Sequence, residues 1–256
     1  MRDRLLIESG CPIPVPSMGL ELYQPTIKDI ARFGEENFST VLSLVNYTKE
    51  DYLNHAKKSF ENEPDKIEAV RNELTFMTDF QLILETANET TEMQSLFTSF
   101  LYLLIPIAKK VVIEERRFLT ISFANDKPAL FMTDDMFLDL REAIVDMFLL
   151  DEKSKAGFNP ANDKAAQIAK KLEDRHKKLA KMRGEHEKET SALATAASIV
   201  SSIDGVSLLE VYGYTLPQLV HQLDRSEKYV YYKTQITLGA FAGLKDVEIS
   251  DWRESI

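Results

Sequence analysis

A chain of 256 residues that is 44% hydrophobic and 28% charged carries enough apolar surface for a sizeable core, which excludes disorder as its organising state. Its formal charge of -10 makes nucleic acid an improbable general partner, because polyanion binding draws on Lys and Arg neutralising phosphates. Cys11 is the single cysteine, so an internal disulfide and a multi-thiolate zinc site are both excluded, and a cytoplasmic setting is the simpler expectation.

The start of the chain is basic, but its apolar run Leu5–Ile7 is far shorter than the core of a signal peptide. Residues 12–16, Pro-Ile-Pro-Val-Pro, read as an extended arm, since proline removes amide donors and restricts the residue before it. Leu20–Tyr23 is expected as a strand, and Thr26 with Asp29 writes a capping signal for a helix that Gly34 ends or bends. Phe38, Val41, Leu42 and Val45 recur at helical spacing, and Thr48 with Asp51 caps a charged helix to about Glu61. A further helix is expected over Asp65–Leu84, with Thr75–Asp79 as an interruption. The segment after Thr91 climbs into the apolar run Leu96–Ala108, which is about half the length of a membrane-spanning helix and contains Pro106.

From Lys110 the period changes. Val111–Ile113 and Phe118–Phe123 are β-branched and aromatic runs of strand length, Asn125–Pro128 supplies turn chemistry, and Ala129–Met132 returns as a third strand. Thr133 followed by Asp134 and Asp135 opens a helix to about Leu150, with carboxylates at the positive end of its dipole. Asp151–Phe158 is a charged connection, and residues 161–189 read as a long basic helix. Ala192–Ile203, Leu208–Tyr212 and Leu216–Ala242 complete a helical C-terminal half. The expected fold is therefore α+β and mainly α: residues 1–150 hold helices and a small antiparallel meander behind an extended arm, and residues 151–256 form a helical bundle.

Chemical signatures are sparse. The histidines, His55, His176, His186 and His221, form no compact ligand pair, and His221 with Asp224 supplies only two of the four ligands a structural zinc needs. No strained G-x-S-x-G turn, phosphate-cradling glycine loop or dinucleotide fingerprint occurs. No catalytic residue, metal ligand or cofactor is assigned, and enzyme activity is not expected. Lys171, Arg175 and Lys178 recur at three- and four-residue steps and form the candidate face for an anionic partner. The interleaved Glu173, Asp174, Glu185 and Glu187 favour a solvated helix with internal ion pairs instead.

Three stretches together resemble the long tail assembly chaperones of phages and prophages of Gram-positive bacteria. They are Gln24–Ile30 continuing to Gly34–Phe38; Phe158–Asn162 running into Ala165, Ala166, Ile168 and Ala169; and Tyr214–Leu219 with Arg225, Leu238, Ala240, Gly243, Leu244 and Trp252. The resemblance implies a noncatalytic protein of the host cytoplasm that coats the tape-measure protein, prevents its aggregation and recruits tail-tube protein. A structural tail or baseplate component is the alternative. A client helix would dock between the C-terminal helices, with Tyr214, Leu219, Leu223 and Phe241 as candidate anchors and Trp252 as a lid or a contact. Whether the chain also forms a homo-oligomer is left open, since an apolar stripe does not say whether its cover lies in the same chain.

Overall fold

The computed structural model describes residues 4–60, 63–114, 118–124, 128–148 and 191–242, with the backbone alone for residues 235 and 238–242. In chain order these form α1 (Arg4–Glu8), β1 (Ile13–Val15), β2 (Leu20–Leu22), α2 (Ile27–Phe33), α3 (Glu35–Val45), α4 (Lys49–Ser59), α5 (Pro64–Thr75), α6 (Asp79–Ala87) and α7 (Thr91–Leu104). There follow β3 (Ala108–Glu114), β4 (Phe118–Phe123), β5 (Leu130–Phe131), α8 (Asp134–Met147), α9 (Ala192–Asp204), α10 (Leu208–Val211) and α11 (Leu216–Ala242). The fold is mainly α with a small antiparallel meander β3-β4-β5, as expected, and a second antiparallel sheet, β1-β2, that was not. The expected long basic helix over 161–189 lies outside the described residues.

The described residues fall into two compact units. One comprises residues 4–148 together with Leu209–His221, and the other residues 191–208 together with 222–242. The first unit is thus discontinuous, taking in a short stretch from the C-terminal half.

Helix boundaries in the first unit follow local chemistry. Thr26 and Thr48 each accept the N–H three residues on, while Asp29 and Asp51 return the favour to the threonine N–H, giving the two expected capping boxes. A third box explains why the segment Asp65–Leu84 divides: the Thr78 hydroxyl accepts from Gln81 N–H at 3.2 Å and Gln81 Oε1 accepts from Thr78 N–H at 3.1 Å, so α6 starts afresh at Asp79. Gly34 separates α2 from α3 at φ 95° and ψ 122°, a conformation closed to residues with a Cβ.

The apolar faces of these helices meet in one core. Phe38 on α3 packs against Phe100 on α7 and Phe148 after α8, with ring centroids 5.6 and 5.2 Å apart, and all three rings are buried. Burying each such ring contributes about 1.5–3 kcal/mol. The sheet β3-β4-β5 turns Val111, Ile113, Leu119 and Ile121 inward, while Phe118 and Phe131 stay exposed. Arg141 on α8 is mostly buried; its guanidinium donates to Asp79 Oδ2 at 3.2 Å and to the Asn46 carbonyl at 2.8 Å, tying α8 to the start of α6 and the end of α3.

The proline arm is more ordered than an extended tether. Ile13, Pro14 and Val15 pair in register with Leu22, Glu21 and Leu20, so the arm is one strand of a two-stranded sheet whose inward residues are buried. Gln24, almost wholly buried, donates through Nε2 to the Cys11 carbonyl at 2.6 Å and holds the base of the arm.

Candidate protein-binding surface

The expected anchors fall in different surroundings. In the first unit, Thr26 bridges Thr215 in antiparallel fashion, Ile27 N–H donates to the Tyr214 carbonyl at 2.8 Å, and Lys28 N–H donates to the Tyr212 carbonyl at 3.0 Å. Tyr214 is half-buried, and Leu219 is 1% exposed, a core residue. The opening of α11 is shaped by Thr215, whose N–H donates to Gln218 Oε1 at 2.9 Å. Gly10, at φ 73°, lets α1 approach this point: a Cβ there would stand 3.1 Å from Gln218 Nε2.

Four polar side-chain atoms of this first unit are buried with no partner: Gln24 Oε1, Thr215 Oγ1 and His221 Nε2 near this point, and Thr120 Oγ1 on β4. His221 turns its Nδ1 towards Glu8 Oε2 at 3.5 Å, and Glu8 is also bound by Arg4 at 2.6 Å. Asp224 is paired with Lys228 at 2.8 Å, so the sequence neighbours His221 and Asp224 have separate partners. Among the described residues no three His, Cys, Asp or Glu side chains gather as metal ligands would. Cys11 is exposed.

In the second unit, Ala197 and Val200 on α9 are buried, and Asp204 at the end of α9 accepts from Gln222 Nε2 at 2.7 Å. Ser226 Oγ lies 3.0 and 3.1 Å from the two Asp204 carboxylate oxygens and 2.8 Å from the Gln222 carbonyl; its one proton serves one of these acceptors at a time. On α11, Leu223 is half-buried while Val230 and Tyr231 are 44% and 60% exposed. A spacing of seven and eight residues puts these three on one helix face, in the i, i+7, i+8 pattern of an amphipathic stripe. Ile199 on α9 and Ile236 on α11 are also exposed.

Helical spacing in the sequence marks Val230 and Tyr231 as part of an apolar stripe without saying whether anything covers it, and both are exposed. The side chain of Phe241, and the whole of Trp252 and of Lys171, Arg175 and Lys178, lie outside the described residues. No helix among the described residues is long and apolar enough to cross a membrane. Comparison with known protein families, curated proteins and solved structures finds no match for this chain.

Proposed function

We propose that this protein is a noncatalytic tail assembly chaperone that binds the tape-measure protein and helps bring tail-tube subunits to it. The observation that carries the reading furthest is the apolar stripe on α11, where Leu223 is half-buried and Val230 and Tyr231 are exposed among the described residues, together with the resemblance at Gln24–Phe38 and Tyr214–Leu219. Apolar side chains two turns apart on one helix face are the anchors by which helical segments grip one another. Tyr231 brings a large ring with a polar edge, a type enriched where protein surfaces meet. A tape measure rich in amphipathic helix offers the complementary face, and covering that face keeps it from aggregating.

Co-expression with the tape-measure protein of the same genome, followed by size-exclusion chromatography with light scattering, tests the reading. The expected result is a soluble complex where the tape measure alone is insoluble, weakened by Val230→Asp with Tyr231→Asp. Separate elution with continued aggregation refutes it, and recovery of the chain from purified virions would then identify a structural tail component.

A further inference from the structure

We propose that the groove between α4 and α5 binds an acidic amphipathic helix of a partner protein, at a site separate from the α11 stripe. The groove measures about 440 Å³ and is lined by the buried Leu74, the half-buried Leu53, the exposed Lys57 and Arg71, and Lys49, with Glu50 as the one carboxylate. Lys49 is committed, its Nζ donating to the Met77 carbonyl at 2.8 Å. Lys57 and Arg71 meet no carboxylate at ion-pair distance among the described residues. Two free cations beside two leucines are the complement of a helix that presents leucine-like residues inward and Glu or Asp at the edges.

Phe76 lies next in the chain to Thr75, which also lines the groove, and is 87% exposed, the most exposed of the large hydrophobic residues described. A lysine in the last turn of α4 complements that helix's dipole without a partner. Arg71 stands within α5 and Phe76 caps it, so the dipole accounts for neither. Nucleic acid is the poorer occupant: two free cations on a chain of charge -10 neutralise few phosphates, and the leucines give a phosphate nothing. The site stands or falls independently of the chaperone reading, since it uses none of the α11 residues.

The test uses the full chain and a fluorescein-labelled helical peptide with leucines at i and i+4 flanked by glutamates, followed by fluorescence anisotropy at low salt. Its control peptide carries Gln for each Glu. The acidic peptide is expected to bind about tenfold or more tightly than the control, a difference that Lys57→Glu with Arg71→Glu removes. Phe76→Ala should weaken binding severalfold, while Lys109→Glu with Lys110→Glu, an equal charge change on exposed β3 positions, leaves it unchanged. Should the charge reversal disturb folding by circular dichroism, Lys57→Gln with Arg71→Gln replaces it. Equal binding of the two peptides overturns the proposal, as does undiminished binding by the groove variants or tighter binding of a single-stranded oligonucleotide. Self-association that the same variants abolish overturns it too, by giving the groove to a second copy.

Discussion

Arg141 shows how much of this fold hangs on single polar contacts. Its side chain is 15% exposed and holds two partners, the Asp79 carboxylate at the start of α6 and the carbonyl of Asn46, which caps α3. Arg141→Met keeps much of the stem's packing and removes both bonds, so it should cost about 1–3 kcal/mol in urea unfolding. Arg4→Ala, which removes a pair on a largely exposed arginine, should cost about 0.5 kcal/mol or less. Asp29 is a second such residue. Burial pushes its carboxyl up, but the hydroxyl and N–H of Thr26, the Tyr23 hydroxyl and the charge of Arg32 together outweigh burial and hold it below the usual range. The same contact, after burial, holds the Tyr23 hydroxyl above its usual range. A depressed carboxyl stabilises the fold above its unfolded pKa and loses that contribution as pH falls through its folded pKa. Asp29→Ala should therefore cost about 1 kcal/mol at neutral pH, the worth of a capping interaction. The gap to the wild type should narrow as the solution is acidified below the ordinary carboxylate range, as thermal melts across pH will show.

At the scale of elements, legibility in the sequence tracked the distance over which each signal acts. The boxes at Thr26 and Thr48 were readable because hydroxyl and carboxylate sit three residues apart and answer each other's backbone N–H. The strands β3 and β4 were readable from their β-branched and aromatic runs. Long-range pairings left no comparable trace. The arm's prolines announce extension, yet its pairing with Leu20–Leu22 depends on a turn at Pro16–Gly19 and on burial of Ile13 and Val15. Nothing near Thr26 foretells its bridge to Thr215. For the candidate surface the same limit applied: Leu219 and Val230 carry equal sequence signals, and only the covering elements make one core and the other exposed. Gly34 gives this scale its test. At φ 95° and ψ 122°, with Asn37 Nδ2 3.1 Å from where a Cβ would stand, Gly34→Ala should cost about 1–3 kcal/mol. A fall in Tm of several degrees, with the helical circular dichroism retained below the transition, is the expected readout.

For the whole molecule, the discontinuous first unit matters most. Leu209–His221 is counted with residues 4–148, contributing the buried Val211 and Leu219 and two carbonyls that receive the first N–H groups of α2. A chain ended at residue 148 leaves Ile27 and Lys28 without those acceptors and uncovers the surfaces against which Val211 and Leu219 are buried. Its stability should fall by about 3 kcal/mol or more relative to the same unit in the full chain, combining two buried aliphatic side chains and two hydrogen bonds. Adding a synthetic peptide of residues 206–224 should raise its Tm in a concentration-dependent manner, as mass action requires of a ligand that binds only the folded state. A truncated chain that melts like the full protein and ignores the peptide would remove Leu209–His221 from the folding unit.

The exposed Cys11 sets a condition on every mass measurement made with this protein. A sole accessible thiol can join one chain to one other and no further, so air oxidation converts monomer into a covalent pair and then stops. A pair linked through the base of the proline arm would scatter light as a dimer while reporting nothing about α11 or the α4–α5 groove. Reductant, or Cys11→Ser, separates that artefact of handling from the assembly the molecule makes by itself. The same thiol accepts a single maleimide dye, giving a uniformly labelled chain without any engineered cysteine.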